Sequence, residues 1–305
     1  MRRLALASIL VPAALLAGCG TDTIQGPTAP SIAPSLKQGS QSFAYTTFDV
    51  PGATLTAAQG INPRGDVVGF ADVGGQRHGF LLRDGEFTTI DYPGAAGTDA
   101  RGISPDGDIV GGYWLPGEPA VNIHGYRLTK HGEFERVDYP GHTNTIPQRV
   151  LPDGTILGCR HDENTMDTMH GIVMARSGNW ELEQPASMNN GATPDGRLIT
   201  GLYTNMMNGR TEGYVFEDGV FTPFIVPGST FTAAWDMNPG SEIAGVYRDA
   251  SGIFHGFVRR GDDYATLDVP GATATRAFGI NPRGDVVGSF AAAGRTHAFV
   301  ARRER

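Results

Sequence analysis

A repeated unit of about 44 residues is the feature that most limits how this sequence folds. Residues 60–69 return almost letter for letter as residues 279–288, and looser copies begin at Gly102, Arg149, Gly191 and Asp236. A His-Gly-Phe landmark and a Pro-Gly landmark recur with it. The prolines of the Pro-Gly landmark are 42, 47, 45, 42 and 43 residues apart, which indicates six units. They are Pro51, Pro93, Pro140, Pro185, Pro227 and Pro270.

Each unit predicts four antiparallel strands joined by tight turns. The segment Asn62-Pro63-Arg64-Gly65 places Asn at position i, Pro at i+1 and Gly at i+3 of a type I turn between the first two strands. Four-stranded meanders repeated at this spacing are typical of propeller blades. The sequence therefore predicts an all-β fold, a six-bladed β-propeller of four-stranded antiparallel blades, with no helix outside the N-terminal segment.

The phase of the repeat predicts how the ring closes. The last copy stops after its third strand, at Val300, and residues 43–50 read as a fourth strand with no unit before it. Pairing residues 43–50 with residues 296–300 completes the sixth blade, so the propeller is closed by the N-terminal strand. An open solenoid would need capping repeats. We expect the propeller to span residues 42–305, with Phe80, Tyr126, Tyr214, Phe257 and Phe299 in the core between blades.

The two main landmarks together carry a family resemblance. The triplet His297-Ala298-Phe299 with its variants, and the Gly-Ile-Asn-x-x-Gly-x-Val-Val-Gly segment, resemble the HAF-type extracellular repeat over residues 48–300. The resemblance implies an exported bacterial β-repeat protein. The family has no established catalytic residues, so it transfers none. Unit four departs most from the pattern, with Glu212 in place of the histidine.

The N-terminal residues predict export and lipid anchoring. Arg2 and Arg3 precede a short apolar stretch, and Leu16-Ala17-Gly18-Cys19 matches a lipobox in which Cys19 is acylated. The alternative is an ordinary secretory signal with a chance cysteine. We expect residues 1–18 to be a lipoprotein signal peptide and residues 19–41 to be the lipidated cysteine and a disordered tether, because this segment has almost no large apolar side chains. Gly20 after the cysteine favours the outer membrane, with the protein facing the periplasm or the surface.

The charge balance excludes some partners. Removing residues 1–18 takes away two arginines, so 22 basic residues face 32 acidic ones and the net charge is about −10. A nucleic-acid partner needs a basic surface, and none is predicted. Contact with the membrane is expected through the lipid anchor only.

Repeated polar residues favour structure over chemistry. Five of the eight histidines share one repeat position beside the core aromatics, which predicts packed, hydrogen-bonded side chains and no metal. They are His78, His124, His170, His255 and His297. Four aspartates before the Pro-Gly turn are expected to accept hydrogen bonds from loop amides. They are Asp49, Asp91, Asp138 and Asp268.

Unit three contains the least repetitive stretch, residues 159–170. Two metal sites and a plain loop are the alternatives there, and the loop is favoured because no EF-hand spacing is present. Calcium would use Asp162, Glu163, Asn164 and Asp167; copper would use Cys159, His161, Met166, Met169, Met206 and Met207. No cofactor is predicted, and no nucleophile, phosphate or dinucleotide motif is present.

The repeat also predicts where a ligand binds. The tight turns share one rim, and the variable loops at residues 113–123, 160–169 and 203–211 share the other. One repeat position at the start of the innermost strand carries a mixed polar and aromatic set, which we interpret as binding residues at the axial mouth or as filler without a partner. The set is Gln59, Arg101, Gln148, Asn190, Trp235 and Phe278.

These features favour a non-enzymatic binding module of the bacterial envelope, with no catalytic residues, that recognises a glycan, a peptide or a protein. The alternatives are a lyase or hydrolase of envelope polymers acting at the axial channel, and a purely structural envelope component.

Overall fold

A computed structural model describes residues 42–119, 121–162 and 168–304. The predicted signal peptide, Cys19 and the tether lie outside the described residues. So do Glu163, Asn164, Met166 and Asp167 of the candidate metal loop. No helix of the described residues is both long enough and apolar enough to cross a membrane.

The described residues form 24 strands that follow the six sequence repeats. Repeat 1 contains β2 (Ala53–Ile61), β3 (Val67–Val73), β4 (Gln76–Arg83) and β5 (Glu86–Ile90). Repeat 2 contains β6 (Gly97–Ile103), β7 (Ile109–Trp114), β8 (His124–Leu128) and β9 (Phe134–Val137). Repeat 3 contains β10 (Asn144–Val150), β11 (Ile156–His161), β12 (His170–Ala175) and β13 (Gly178–Pro185). Repeat 4 contains β14 (Ser187–Ala192), β15 (Leu198–Asn205), β16 (Arg210–Glu217) and β17 (Val220–Phe224). Repeat 5 contains β18 (Phe231–Met237), β19 (Ile243–Arg248), β20 (Phe254–Arg260) and β21 (Asp263–Leu267). Repeat 6 contains β22 (Ala274–Ile280), β23 (Val286–Ala292), β24 (Arg295–Arg303) and the N-terminal β1 (Phe43–Phe48).

The sheets differ from the six separate blades that the sequence predicts. Repeats 2 to 5 form four separate four-stranded sheets, whereas the strands of repeats 1 and 6 belong to one eight-stranded sheet. The link between them is a single parallel pairing of Leu55 with Thr296. The all-β, antiparallel character and the four strands of each repeat are confirmed. The count of separate sheets is smaller than predicted, because the first strand of repeat 1 reaches the third strand of repeat 6.

The predicted closing strand is confirmed. β1 pairs antiparallel with β24, from Phe43 opposite Arg303 to Phe48 opposite Ala298. The pairing extends a few residues beyond the predicted end at Val300, because β24 continues to Arg303. The first strand of each repeat contacts the first strands of the two neighbouring repeats, and β22 contacts β2. The repeats therefore close around a common axis.

The turn between the first and second strands forms as its sequence predicts. The Asn62 side-chain oxygen accepts hydrogen bonds from the amides of Arg64, Gly65 and Asp66 at 3.0–3.1 Å. Gly65 has φ of 97°, the left-handed conformation that glycine adopts without strain. Ser241 holds the same position in repeat 5 with φ of 58°. The turn geometry therefore survives where glycine is missing.

Large aromatic side chains fill the spaces between repeats. The five aromatics predicted for the core are all at most 2% exposed, which confirms that prediction. Phe48 of β1 contacts Phe80 edge to face with ring centroids 6.3 Å apart. Tyr45 contacts Phe299 in the same way at 5.8 Å. The N-terminal strand therefore contributes to the core as well as to the sheet.

Candidate ligand site at the axis and the variable rim

All six predicted binding residues lie at β-bulges of the innermost strands. In each repeat the register of the first strand against the second shifts at this residue. A bulge leaves one residue unpaired and turns its side chain away from the regular pleat. The residues lie two positions before the end of their strands, so the expectation that they begin the strand is wrong. Each strand begins three to six residues earlier than expected, because the segment after the Pro-Gly turn also pairs.

The structure brings these bulge residues together around the axis. The Trp235 and Phe278 rings meet edge to face with centroids 5.1 Å apart. The Asn190 side-chain amide donates to the Ala234 carbonyl at 2.8 Å. Gln59, Gln148 and Asn190 are buried, whereas Arg101, Trp235 and Phe278 are half-buried. Only the latter three can therefore touch a ligand without rearrangement.

The Arg149 side chain lies at the axis and binds the main chain of five of these six bulge residues. Its guanidinium donates hydrogen bonds to main-chain carbonyls from five repeats, at distances between 2.6 and 3.3 Å. The carbonyls belong to Gln59, Arg101, Gln148, Trp235 and Phe278. A guanidinium has five N–H donors in a fixed plane, which suits a ring of converging acceptors.

Asp236 of repeat 5 forms an ion pair with Arg149. Its carboxylate lies 3.1 Å from Arg149 Nε and accepts the amides of Met237 and Ile280 at 2.9 and 3.0 Å. Burial raises the pKa of Asp236, although the charge of Arg149 acts in the opposite direction. This carboxylate is therefore occupied by its own neighbours.

Sequence reasoning missed these two axial residues, although the repeat contains the signal. Four repeats have glycine at this position, where repeats 3 and 5 have Arg149 and Asp236. The glycines are Gly60, Gly102, Gly191 and Gly279. A Cβ at Gly102 would lie 2.5 Å from the Gln148 carbonyl oxygen, so the backbones approach too closely for a side chain there. A charged residue at a position where the other repeats need glycine is the sequence signal that could have identified these two residues as an axial pair.

The axis is narrow on the side of the tight turns, which we call the turn rim. A cavity of about 90 Å³ lies there, with Arg149 and Asp236 at its base. It is ringed by the turn prolines Pro63, Pro105, Pro152, Pro194, Pro239 and Pro282. This opening has room for a few water molecules rather than for a sugar or a peptide.

A much larger cleft lies between repeats 1 and 2 on the opposite side, which we call the variable rim. Its volume is about 600 Å³, within the usual range of ligand sites. It is lined by Thr54, Asp72, Gly75, Gln76, Arg77, Ala96, Asp99, Arg101, Trp114 and Ile123. We refer to it as the repeat 1–2 cleft. It contains Arg101, one of the predicted binding residues.

Two arginine–aspartate pairs fix the polar wall of this cleft. Arg101 donates through Nε and Nη2 to the two Asp99 oxygens at 3.0 and 2.7 Å. Arg77 binds both Asp72 oxygens in the same way at 2.8 and 3.1 Å, and its guanidinium lies 4.2 Å from the Phe70 ring centroid. Burial acts to lower the pKa of Arg101, but the Asp99 charge and hydrogen bonds outweigh it and raise the pKa. The wall therefore presents fixed charges whose sum is zero.

Trp114 supplies an aromatic surface in the same cleft. Gly97 lies directly beneath it, since a Cβ at Gly97 would fall 2.6 Å from the indole. The glycine allows the ring to lie close to the first strand of repeat 2. The indole is half-buried, so part of it faces the cleft.

The repeated histidines pair with the aspartates that precede the Pro-Gly turn. His78, His255 and His297 contact Asp91, Asp268 and Asp49 through Nδ1 at 2.8–2.9 Å. His78 on β4 lies beside Asp91 because Gly79 pairs with Ile90 across the two strands. His124 instead contacts Glu118 at 2.9 Å, and His170 contacts the Leu182 carbonyl at 3.0 Å. The structural role predicted for the histidines agrees with these contacts.

The expectation that the aspartates accept loop amides is wrong at Asp49, Asp91 and Asp268. A threonine of the first strand takes that role, because its hydroxyl accepts the amide of the residue before the Pro-Gly turn at 2.7–3.1 Å. These threonines are Thr56, Thr98, Thr145, Thr232 and Thr275.

The candidate metal ligands of repeat 3 are divided between the core and the surface. Cys159 and Met169 are buried in an apolar cluster, and burial raises the pKa of the Cys159 thiol to about 12. Met207 of repeat 4 is 97% exposed. Asp162 contacts His142 Nδ1 at 2.8 Å. In the part of the chain that the structure describes, no three His, Cys, Asp or Glu side chains are placed to hold a metal ion.

Comparisons with known proteins identify the fold. No protein-family model matches the chain. No curated protein matches it either. Among solved structures, a putative TolB from Agrobacterium tumefaciens is 16% identical with a TM-score of 0.56, over 88% of this chain and 100% of that one. The gluconolactonase XC5397 from Xanthomonas campestris is 13% identical with a TM-score of 0.54, over 91% of this chain and 94% of that one.

A third similar structure is described as a β-propeller. The β-propeller domain of the Trilobed protease from Pyrococcus furiosus is 9% identical with a TM-score of 0.50, over 83% of this chain and 96% of that one. At such low identities the likeness concerns the fold alone. Together with the closed ring of repeats, it establishes that this chain is a β-propeller.

Proposed function

We propose that the protein is a non-enzymatic binding module whose repeat 1–2 cleft holds a polar ligand, most suitably a glycan. The observation that carries the proposal is the position of this cleft. It is a cavity of about 600 Å³ at the variable rim, and it reaches Arg101 of the axial set. Loops at such a rim commonly carry binding residues above a rigid scaffold.

The chemistry of the cleft suits a sugar better than an apolar ligand. Trp114 offers a ring face on which a sugar ring can pack, and Gln76 lines the same cleft with hydrogen-bonding capacity. The paired Asp72–Arg77 and Asp99–Arg101 groups are held in place before a ligand arrives. Polar groups fixed in advance reduce the entropy lost on binding.

The contacts of the carboxylates speak against the enzymatic alternative, an envelope-polymer lyase or hydrolase. A general acid or base must be free to exchange a proton with a substrate. Asp72 and Asp99 are each held by both nitrogens of an arginine fork, and Asp99 also accepts the Gly112 amide at 2.8 Å. Asp236 at the axis is likewise engaged by Arg149 and two amides. These carboxylates position groups rather than transfer protons.

The finer architecture and the location belong to the same proposal. We count the eight-stranded sheet as two blades joined by one pairing, which gives six blades. We further propose that the chain is exported, as the resemblance to HAF-type repeats implies, and anchored to the outer membrane through Cys19, as the lipobox and Gly20 predict. Its partners are then a glycan, a peptide or a protein of the envelope.

A glycan and peptidoglycan-fragment binding screen of the full chain in detergent tests the binding function. Trp114→Ala should weaken binding about tenfold or more, because loss of an aromatic contact removes on the order of 1–2 kcal/mol. Trp180→Ala is the matched control, since Trp180 lies in a different groove, beside Phe216. Unchanged affinity in Trp114→Ala contradicts the proposal. Conversion of the bound glycan into a product, detected by mass spectrometry, favours the enzyme instead.

Lipid anchoring is tested by metabolic labelling with palmitate. The label should be lost in Cys19→Ser and retained in Cys159→Ser, because Cys159 is buried within repeat 3. Retention of the label in Cys19→Ser contradicts the anchor.

A further inference from the structure

Two arginines converge on one aromatic ring between repeats 5 and 6. The Arg276 guanidinium lies 4.4 Å from the centroid of the Phe254 ring. The Arg248 guanidinium lies 5.9 Å from the same centroid. Arg276 belongs to the first strand of repeat 6, and the other two residues belong to the second and third strands of repeat 5. We call these three residues the Arg248–Arg276 cluster.

The cluster occupies the repeat positions that carry the paired charges in the repeat 1–2 cleft. Arg248 and Phe254 face each other across their strands, as Asp72 and Arg77 do in repeat 1. Arg276 lies two residues before the bulge, as Asp99 does in repeat 2. The same repeat positions therefore carry balanced charges in the repeat 1–2 cleft and only positive charges in the Arg248–Arg276 cluster.

Nothing within the described chain neutralises these arginines. Neither Arg248 nor Arg276 forms an ion pair with any carboxylate among the described residues. The Arg248 Nε donates to Thr230 Oγ1 at 3.1 Å. The neighbouring Asp249 accepts the amides of Ser251 and Ile253 at 2.9 and 2.8 Å, and its other oxygen lies 3.4 Å from His255.

Arg276 contrasts with the other arginines of the inner strands. Arg101 has Asp99, and Arg149 has Asp236. Arg276 is half-buried with no hydrogen-bond acceptor among the described residues, and burial lowers its pKa. Half-buried charge without a counter-ion is costly.

We propose that the Arg248–Arg276 cluster is a binding site for an oxyanion, a carboxylate or phosphate group carried by a ligand at the variable rim. An oxyanion at the cluster accepts charge-assisted hydrogen bonds from the two guanidiniums and supplies the counter-ion that Arg276 lacks. Phe254 holds the guanidinium planes and offers an apolar surface to the body of the ligand. The site is separate from the repeat 1–2 cleft, so it stands or falls independently of the proposed glycan site there.

Calorimetric titration of the full chain with glucuronate, inorganic phosphate and glucose tests this site. Glucuronate or phosphate should bind, and glucose should not bind at the cluster. Binding of glucuronate alone identifies a carboxylate ligand, and binding of phosphate alone identifies a phosphorylated one. Failure of both anions to bind at concentrations up to about 10 mM overturns the proposal.

Three variants separate a specific site from a general effect of charge. Arg276→Gln and the more exposed Arg248→Gln should each weaken anion binding about tenfold or more. Arg197→Gln removes the same charge from a surface pair with Glu217 and should leave affinity unchanged. Equal weakening in all three, or none in the first two, overturns the proposal. Trp114→Ala should leave anion binding intact, which distinguishes this site from the repeat 1–2 cleft.

Discussion

Arg149 is the residue on which most repeats converge, because five of them direct a main-chain carbonyl at its guanidinium. The bulge produces this convergence, since it turns one peptide group of each inner strand out of the regular ladder. Asp236 of repeat 5 balances the charge. An ion pair therefore stands in place of two glycines where the inner strands of neighbouring repeats approach closely.

Replacing Arg149 with the glycine of the other repeats should lower the free energy of unfolding by about 3 kcal/mol, because Asp236 then remains buried without its counter-ion. The double variant Arg149→Gly/Asp236→Gly should lose clearly less, since it restores the pattern of the other four repeats. Urea unfolding of both variants measures the difference. A double variant that is as unstable as the single one contradicts the charge-pair account.

At the scale of single residues, the sequence predicted which residues share an equivalent position on the inner strands better than it predicted what they do there. The register of the repeat grouped the six residues correctly, because they share one repeat position, but it placed them at the start of the strand and did not predict the bulge. Their burial depends on how closely the inner strands of different repeats approach one another. The sequence of a single repeat does not contain this information. Gln59, Gln148 and Asn190 are buried for this reason and not displayed at a mouth. Arg149 and Asp236 differ visibly from the glycine pattern of the sequence. Their role as an ion pair became clear only from the folded structure, where the inner strands meet at the axis.

At the scale of elements, the tight turns are joined to neighbouring strands by arginine–carboxylate clusters. Glu242, in the turn of repeat 5, accepts hydrogen bonds from Asn238 at 2.8 Å and from Arg303 of β24 at 3.0 Å. Arg260 of β20 contacts the same carboxylate. Burial acts to raise the pKa of Glu242, but these hydrogen bonds and charges outweigh it and lower the pKa. The cluster therefore joins repeat 5 to β24, the strand that pairs with the closing strand β1.

A carboxyl whose pKa is lower in the folded state stabilises the fold above its ordinary pKa of 4.5 and loses this contribution as the pH falls through the folded value. Glu242→Gln should therefore lower the free energy of unfolding by about 1–3 kcal/mol at neutral pH. The difference from the unsubstituted protein should shrink at about pH 3. Urea unfolding at both pH values measures it, with the exposed Glu304→Gln as control. A difference that stays constant with pH contradicts the assignment.

The turns themselves followed from sequence chemistry. Asn at the first position and Pro at the second specify the loop, and the side-chain oxygen of Asn62 then caps three amides. The arginines that bridge between repeats were not predictable in the same way. Their partners lie on other repeats, so the contacts depend on tertiary packing.

At the scale of the whole molecule, closure depends on the pairing of β1 with β24. β1 also places Tyr45 against Phe299 and Phe48 against Phe80 and Phe87. The phase of the repeat predicted this closure, because a missing fourth strand at one end matched an extra strand at the other. The joining of repeats 1 and 6 into one sheet was not predicted, since a single parallel pairing has no sequence signature.

Deletion of residues 43–48 should cost about 5 kcal/mol or more, because it removes three packed aromatic rings and leaves the edge of β24 open. Urea unfolding and light scattering measure the loss of stability and the association of open edges. Deletion of residues 20–38, within the predicted tether, is the control and should leave stability within about 0.5 kcal/mol. Equal stability of both deletions contradicts closure by β1.

The central claim is that the variable rim binds a ligand in the repeat 1–2 cleft. Hydrogen exchange with and without the glycan identified in the binding screen tests it most directly. We predict slower exchange in residues 72–77, 96–101 and 112–114, which surround the cleft, and unchanged exchange in residues 178–184 beside Trp180. Protection confined to residues 178–184, or to the turn rim around the six prolines, would contradict the claim.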